Sequence, residues 1–422
     1  MNNTAIIAYL KNVRKHTNAD KLQCATVAGD QVIVDLQSKE NDLGIYFDSN
    51  LQLSPEFLSN NNLYRHSEKN LNPEKNGFFE DNGRVRCITL RGEKSYGFWL
   101  PLNSLQFTNG NINLLEEGYE FNDFNGIHIC NKYVVQVRAS GPSNTQRKHK
   151  IKKSRILEGQ FNFHEDTDQL PRNIHRIHQE DLISLSWKMH GTSAIVSRCL
   201  VKNKFNLFLK FLQYLGVPIK DTQYDYIYAS RRVIKNEFEK DKQHFYDEDL
   251  WTRVGKEQFQ NNLYAGETVY YEIVGYTNSG AYIQKSFDYN CNPSQYKIFV
   301  YRITYTNVDG KVIELQWNQL KQRCEMLGVE TVPEIYYGYA KDLPITIIDT
   351  TKSWQENFLN HLKSTYTYDQ NSQFCKNNVP EEGIVLRRDG LTIEAFKLKN
   401  FRFLQHESTL KDDDVVDIED QN

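Results

Sequence analysis

Short runs of alternating apolar and polar residues dominate the first third of the chain, and this is the pattern of β-strands with one buried face. The runs fall at residues 5–10, 26–35, 85–90 and 97–101. Gly29 and Asp30 separate two of the apolar runs in the manner of a hairpin turn. Because regular short strands joined by turns are typical of such a fold, we expect a small β-barrel in this region.

The apolar runs between residues 180 and 400 differ, because several carry one charged residue at a strand end or inside a buried strand. The strand candidates are residues 182–185, 226–232, 269–275, 296–303, 381–387 and 395–399. Helical spacing is found at residues 318–327 and 354–363, and a charged helical stretch is expected within 233–263. This part of the chain therefore predicts an α+β domain with flanking helices.

Composition narrows the class of protein. A chain of 422 residues, 39% of them hydrophobic, is long enough for two or three domains. It has no apolar run near the roughly 20 residues of a membrane span and no secretory signal pattern at its start. Seven scattered cysteines without a C-x-x-C pair indicate free thiols in a reducing compartment and argue against a zinc site. We therefore expect a cytoplasmic protein without a membrane partner.

Residues 139–158 differ in composition from the sequence on either side. A cluster rich in Ser, Gly, Pro and Asn precedes a strongly basic run at residues 147–155. The net charge of −3 means that any contact with nucleic acid must come from local patches of this kind. The run is either a solvated linker or a contact to a phosphate backbone, and both alternatives stay open.

Three segments of the second region place charged side chains where chemistry can use them. Residues 187–193, with the sequence WKMHGTS, put Lys188 before a tight glycine turn. Such a lysine is usually a solvated surface residue, but it can also be a nucleophile beside a nucleotide. Glu272 lies within a buried-type strand, where an unpaired carboxylate is costly. Lys397 and Lys399 share one face of a strand, because side chains alternate with period two.

In their order along the chain, these segments resemble the motifs of the covalent nucleotidyltransferase superfamily, which includes polynucleotide ligases and capping enzymes. The resemblance covers residues 160–400. The residues matching motifs I, Ia, III, IIIa, IV and V are Lys188 with His190 and Gly191, Arg231, Glu272, Tyr301, Glu382, and Lys397 with Lys399. Two positions depart from the usual pattern. His190 replaces the aspartate of K-x-D-G, as in some RNA ligases, and Arg302 replaces the aspartate that often follows the motif IIIa aromatic residue.

The layout is similar to that of the Deinococcus-type RNA ligase family, which has an N-terminal OB domain and no C-terminal domain. Residues 16–27 resemble the opening of tRNA-binding-type OB domains, and residues 164–169 resemble the T-D segment before motif I of RNA ligases. The resemblance implies an α+β fold, with an N-terminal OB-type β-barrel and an ATP-grasp-like nucleotidyltransferase domain of antiparallel sheets. The expected boundaries are an OB-like nucleic-acid-binding domain at 1–138, a basic linker at 139–158, the ligase domain at 159–405 and an acidic tail at 406–422.

The resemblance also implies an activity. It is the ATP-dependent sealing of 3′-hydroxyl and 5′-phosphate RNA ends, as in RNA repair, through a lysyl-AMP on Lys188 and an adenylylated 5′ end. Lys397 and Lys399 would lower the pKa of Lys188 and offset phosphate charge. Glu382 would bind Mg²⁺ or Mn²⁺, largely through water.

The remaining motif residues would hold the nucleotide, again by resemblance. Arg231 would contact phosphate or ribose, Tyr301 would stack on adenine, and Glu272 would bind the ribose or share the metal ion. His190 and Gly191 would lie against the nucleotide beside the nucleophile.

The expected partners are RNA ends, including those at a nick in an RNA or RNA/DNA duplex, and the expected state is a monomer. Two other functions remain as alternatives. An RNA-capping guanylyltransferase would use GTP in place of ATP, so labelling with the two nucleotides separates it from a ligase. A non-catalytic RNA-binding protein with a ligase-like domain would form no covalent nucleotide adduct.

Overall fold

The computed structural model describes residues 3–135, 155–203, 214–215, 220–235, 246, 248–346 and 348–412. The basic run at 147–155 lies outside these residues except for Arg155, and so does the acidic sequence after Asp412. The described chain has a mixed α+β architecture in which antiparallel sheets dominate and helices are few. No helix of the described residues has the length and apolar character needed to span a membrane.

The N-terminal region, residues 3–135, is built from small antiparallel sheets. Its strands are β1 (Ala5–Tyr9), β2 (Lys11–Lys15), β3 (Leu22–Val27), β4 (Asp30–Asp35), β5 (Leu43–Asp48), β6 (Leu51–Leu53), β7 (Ile88–Leu90), β8 (Glu93–Ser95), β9 (Gly97–Pro101), β10 (Glu120–Phe121), β11 (Asp123–Phe124), β12 (Ile127–His128) and β13 (Cys130–Lys132). The largest sheet has the order β10-β1-β5-β9, and β2-β3-β4 form a second. The pairs β6-β13, β7-β8 and β11-β12 complete the region.

The described strands of this region form separate sheets, and a closed barrel is not found among them. A physical reason lies in the central sheet. On β5, Tyr46 belongs to one apolar core and its neighbour Phe47 to another, and Ile6 and Ile7 of β1 divide in the same way. Successive side chains point to opposite faces, so this sheet is buried on both. A simple barrel wall would bury one face and expose the other.

The second region contains two larger sheets. Its strands are β14 (Asp168–Gln169), β15 (Leu182–Trp187), β16 (Thr192–Lys202), β17 (Thr222–Ser230), β18 (Glu267–Gly275), β19 (Tyr296–Thr306), β20 (Val312–Glu314), β21 (Glu334–Tyr339), β22 (Gly383–Asp389) and β23 (Glu394–Lys399). One sheet has the antiparallel order β17-β16-β18-β19-β20. The other has the order β14-β23-β22-β15-β21, in which β14 alone runs parallel to its neighbour.

Helices lie against these sheets. They are α1 (Pro55–Asn60), α2 (Leu170–Asn173), α3 (Leu250–Phe259), α4 (Trp317–Leu327), α5 (Trp354–Tyr366) and α6 (Phe401–Asp412). The helices predicted at 318–327 and 354–363 are confirmed, and each begins with a capping box. Of the helical stretch expected within 233–263, the described residues contain α3, which starts after the N-cap Asp249.

The last helix, α6, was not predicted from the sequence pattern, and it continues into the residues expected to form the acidic tail. Residues 406–412, which we assigned to an acidic tail, form the second half of α6. Ser408 and Lys411 are buried there. The charged residues of this segment are ordered because they pair with partners in both regions of the protein, including Lys399 and Arg84.

Buried arginines join the two regions. Arg172 of α2 has a side chain only 2% exposed, and it contacts Asp48 of β5 at 3.0 Å. Arg84 is 1% exposed and pairs with Asp412 at 2.9 Å. Because buried charges of this kind are costly without a partner, the two regions are held in a defined orientation.

Candidate active site

Lys188 lies where the chain crosses from one large sheet to the other. Strand β15 ends at Trp187 in the sheet β14-β23-β22-β15-β21. Strand β16 begins at Thr192 in the sheet β17-β16-β18-β19-β20. The backbone N–H of Lys188 donates to the carbonyl oxygen of Gly383, at 2.9 Å, on the neighbouring strand β22. Four residues therefore bridge the sheets, and the first of them carries its side chain into the cleft between them.

Gly191 and Glu272 fix this crossing. The backbone N–H of Gly191 donates to Oε1 of Glu272 at 3.0 Å, and Glu272 is 8% exposed. A Cβ atom at position 191 would lie 2.2 Å from the carbonyl oxygen of Ile273, so no other residue fits without moving β18. The structure thus places the predicted glycine and the buried-strand glutamate in contact, and the glutamate orders the turn that carries Lys188.

Glu382 forms an ion pair with the amine of Lys188. Its Oε1 lies 2.8 Å from Nζ of Lys188, while its Oε2 lies 3.8 Å from Nδ1 of His190. Glu382 is 3% exposed, and among the described residues Oε2 has no hydrogen-bond partner. A buried carboxylate oxygen left in this way is rare in proteins unless a ligand or hydrated ion completes it.

The two lysines of β23 face the same cleft, as the period-two alternation predicted. Lys397 lies opposite Val385 and Lys399 opposite Gly383 on strand β22. Nζ of Lys399 is 3.6 Å from Oε1 of Glu382. Burial, together with the charges of Lys399 and Lys188, lowers the pKa of Lys397 to about 8.

Arg231 and Tyr301 lie on the sheet that contains β16. Arg231 follows β17 directly and forms an ion pair with Asp166. The hydroxyl of Tyr301 on β19 is 2.7 Å from Oγ of Ser193, and its ring meets that of His164 edge to face, with centroids 5.1 Å apart. Burial and the charges of Arg231 and Arg302 lower the pKa of His164 to about 3, so this imidazole is neutral at physiological pH.

His190 occupies the position of the expected motif I aspartate, and apolar rings surround it. Its ring centroid lies 4.7 Å from that of Phe287 and 4.9 Å from that of Phe403. Its backbone N–H donates to the hydroxyl of the buried Tyr289 at 2.5 Å. The site therefore holds a planar aromatic ring, with Nδ1 toward Glu382, where the K-x-D-G pattern has an aspartate.

One continuous cleft of about 200 Å³ gathers the predicted residues. Its lining includes eight of the nine, and Gly191 forms the turn behind it. The eight are Lys188, His190, Arg231, Glu272, Tyr301, Glu382, Lys397 and Lys399. Residues separated by more than 200 positions in the sequence thus meet around one space.

Sequence reasoning missed several members of the cleft. Glu407 and Lys411 reach it from α6, and Lys132 and Asn50 reach it from the N-terminal region. Burial would raise the pKa of Glu407, but the charges of Lys399 and Lys411 outweigh it and lower that pKa to about 2. The signal that could have identified Glu407 is its helical spacing of four from both Phe403 and Lys411, which puts the three on one helix face.

Comparison with known proteins identifies the family. The sequence model described as RNA ligase matches residues 183–401, which is more than half of the chain. A search of curated proteins finds no match. The structure is similar to those of an RNA ligase from Naegleria gruberi.

One of these structures is a lysine-to-alanine mutant with ATP and manganese. It has a TM-score of 0.59 and 15% identity, and the match covers 95% of this chain and 98% of that one. Another contains pyrophosphate and has a TM-score of 0.59 and 14% identity, with coverage of 97% and 100%. At such identity the likeness demonstrates a shared fold along nearly the whole chain. By its matched sequence, the protein belongs to the RNA ligase family.

Proposed function

We propose that this protein is an ATP-dependent RNA ligase that joins 3′-hydroxyl and 5′-phosphate ends, with Lys188 as its nucleophile. The observation that carries the proposal is the ion pair of 2.8 Å between Lys188 and the buried Glu382, in a cleft that two further lysines face. A lysine used only for solubility would not be held at the junction of two sheets beside a carboxylate with an unpartnered oxygen.

The first step transfers AMP to the protein. The Lys188 ammonium loses a proton, and its nitrogen attacks the α-phosphorus of ATP. A phosphorus–nitrogen bond forms, the bond to the oxygen bridging the α- and β-phosphates breaks, and pyrophosphate leaves. Lys397 and Lys399 offset the negative charge that moves onto the leaving group. Their positive charges also favour the neutral form of Lys188, which is the form that reacts.

A divalent cation fits the donor set of this cleft through Glu382. Among the described residues there is no cluster of three or more His, Cys, Asp or Glu side chains that could hold a metal ion alone. Magnesium usually keeps several waters and binds one or two carboxylates together with substrate phosphates. Glu382, with its unpartnered Oε2, would hold Mg²⁺ or Mn²⁺ in this way. The ion would supply charge stabilisation at the phosphates.

The other predicted residues have places suited to nucleotide recognition. Tyr301 offers an aromatic ring at the cleft, and stacking on adenine is its proposed role. Arg231 is proposed to contact phosphate or ribose from the end of β17. Glu272 is proposed to bind the ribose or share the metal ion while it orders the turn, and His190 and Gly191 are proposed to lie against the nucleotide.

The later steps use the RNA ends. An oxygen of the 5′-phosphate attacks the phosphorus of the lysyl-AMP, which breaks the phosphorus–nitrogen bond and forms a 5′–5′ phosphoanhydride. The 3′-hydroxyl then attacks the 5′-phosphate, the strand is sealed and AMP leaves. We propose that the ends are those of a nick in an RNA or RNA/DNA duplex, in an RNA repair reaction of the cytoplasm.

The proposal includes a Deinococcus-type layout in which a β-rich N-terminal module, with the nucleic-acid-binding role of an OB domain, precedes the ligase domain. Support comes from Lys132 and Asn50 of this module, which line the same cleft as Lys188. The proposed boundaries remain 1–138 for the module and 159–405 for the ligase domain, with a basic linker between them, and α6 continues past the second boundary to Asp412. A monomer is sufficient in this proposal, because one chain supplies every residue named for the reaction.

The first test is incubation with α-labelled ATP and magnesium, followed by denaturing electrophoresis. We expect a labelled band for the wild type and at least a hundredfold less label for Lys188→Ala, because no other group replaces the nucleophile. The matched control is Lys256→Ala, which removes an exposed lysine of α3 and should leave labelling unchanged.

Other outcomes would reject the proposal in distinct ways. Equal labelling of wild type and Lys188→Ala would show that Lys188 is not the nucleophile. Labelling by GTP in place of ATP would identify a guanylyltransferase. RNA binding without labelling by either nucleotide would identify a non-catalytic RNA-binding protein.

A further inference from the structure

Helix α6 presents two different faces to two different parts of the protein. Phe403, Glu407 and Lys411 are spaced by four residues and therefore share one face. This face meets the cleft: the ring of Phe403 contacts that of His190, and Glu407 and Lys411 line the cleft itself.

The opposite side of α6 contacts the N-terminal region. Nη1 of Arg84 donates to the carbonyl oxygen of Ser408 at 3.0 Å and to Asp412 at 2.9 Å. Nε2 of Gln405 donates to Oγ1 of Thr89 at 2.9 Å. The helix is therefore fixed from outside while its inner face reaches the site.

On the inner face of α6, the carboxylate of Glu407 forms an ion pair with Lys399, which is one of the two cleft lysines of β23. Nζ of Lys399 donates to both oxygens of Glu407, at 2.8 and 3.0 Å, and the same ammonium lies over the ring of Phe403 at 5.1 Å. The side chains of Lys399 and Glu407 are only 15% and 14% exposed. An ion pair sheltered from water to this extent restricts where the ammonium can lie.

The position of Lys399 matters because its ammonium group competes with that of Lys188 for the carboxylate of Glu382. Its Nζ is 3.6 Å from Oε1 of Glu382, the same oxygen that contacts Nζ of Lys188 at 2.8 Å. The shorter contacts to Glu407 draw Lys399 back from Glu382. Without the Glu407 carboxylate, Lys399 would be attracted onto Oε1, where it would displace Lys188 from that oxygen.

We infer that Glu407 is a positioning residue for the adenylylation step, which holds Lys399 beside Glu382 without letting it occupy that carboxylate. The inference rests on the proposed function, since it concerns the lysines that act on ATP. It assigns a role in the reaction to the helix that follows motif V.

The test is a double-mutant cycle on lysyl-AMP formation in single turnovers, with Glu407→Gln, Lys399→Met and the double variant. Glu407→Gln keeps the shape of the side chain and removes its charge. We expect it to lower the rate at saturating ATP by about 10- to 100-fold, because a misplacement of about 1 Å in a catalytic group can cost that much. We expect the KM for ATP to change less than the rate.

The double variant separates positioning from folding. If Glu407 acts through Lys399, the double variant should be within about threefold of Lys399→Met alone, because the second change has nothing left to disturb. If the rate losses of the two single variants multiply in the double variant, the inference is overturned. A wild-type rate for Glu407→Gln would overturn it as well. The matched control, Glu180→Gln, removes an exposed ion pair with Lys341 and should keep the wild-type rate.

Two further measurements keep the test decisive. Thermal unfolding of each variant checks folding, and if Glu407→Gln does not fold, Glu407→Asp takes its place with a shorter carboxylate. We expect Glu407→Asp to react faster than a neutral variant and slower than the wild type, and a wild-type rate would count against the inference. Wild-type protein that forms no lysyl-AMP contradicts the proposed function, whereas a normal wild type with an unaffected Glu407→Gln contradicts this inference alone.

Discussion

The surroundings of Lys397 in the cleft lower the pKa of its amine. Burial and two neighbouring lysines lower its pKa to about 8, so near pH 8 roughly half of the molecules carry a neutral amine. Phosphate groups in the cleft would favour the charged form and raise this pKa. Binding of a nucleotide should therefore be accompanied by proton uptake.

We predict an uptake of about half a proton at pH 8, since the pKa rises from about 8 on binding. The measurement is calorimetric titration with an ATP analogue whose bridge between the α- and β-phosphates cannot be cleaved, in buffers of different ionisation enthalpy. The uptake should shrink at pH 6.5, where Lys397 is already charged, and disappear in Lys397→Met. An uptake that is unchanged in this variant would assign the proton to another group.

At this scale the type and spacing of residues in the sequence singled out those proposed for the reaction, but they could not supply the partners of these residues. The sequence indicated a special role for Glu272, because a carboxylate inside a buried strand needs a partner. The structure provides this partner in the backbone N–H of Gly191. The contact of Glu407 with Lys399 could not be predicted, because the turn between β23 and α6 brings the two residues together. The acidic neighbourhood of Glu407 in the sequence resembles a solvated tail.

Helix α6 is the element whose packing has the clearest experimental consequence. Arg84 is 1% exposed, binds both Ser408 and Asp412, and lies over the ring of Tyr133 at 4.8 Å. Arg86 lies two residues away, is 35% exposed and contacts Asp412 at 3.5 Å. The two arginines form a matched pair that differs mainly in burial.

We predict that Arg84→Met lowers the free energy of unfolding by about 1–3 kcal/mol, because it leaves a buried carbonyl oxygen without its donor. Arg86→Met should cost less than about 1 kcal/mol, as exposed ion pairs do. Urea unfolding followed by tryptophan fluorescence measures both. Equal losses for the two variants would mean that the Arg84 contacts do not stabilise α6.

Among the elements, strands of the second region were the most predictable. Residues 269–275 and 395–399 fall on β18 and β23, and the run at 226–232 falls on β17 as far as Ser230, because long apolar runs closed by a charged residue or glycine leave few alternatives. The strands of the N-terminal region were less predictable. Residues 85–90 form a strand only at Ile88–Leu90, since a short edge strand is determined by its partner and hardly by its own pattern.

For the whole molecule, the sequence predicted two β-rich regions but not the contacts in the interface between them. Ion pairs such as Lys363 with Asp30 at 3.0 Å and Lys94 with Asp369 at 2.8 Å link residues hundreds of positions apart. Nothing in the local pattern marks either lysine as different from a solvated one. A closed barrel is not found among the described strands for a similar reason, because the second buried face of the central sheet depends on what packs against it.

The seven free cysteines give these regions built-in reporters. Six are buried, three of them in the N-terminal region and three in the second, and Cys375 is partly exposed. Burial raises the pKa of Cys130 and of Cys324 to about 12, so thiolate chemistry at these buried positions requires the chain to open. The pKa of the partly exposed Cys375 is raised to about 11. A thiol reagent thus records local opening without any added label.

We predict that, in mild urea, the buried cysteines of the two regions are modified at similar rates, because Arg84 and Arg172 tie the regions together. Mass spectrometry of the modified peptides measures each position, with the partly exposed Cys375 as the fast internal standard. Faster modification of Cys24, Cys87 and Cys130 would mean that the N-terminal region opens by itself. A chain that opens as one unit would keep the proposed nucleotide cleft intact until the whole chain unfolds.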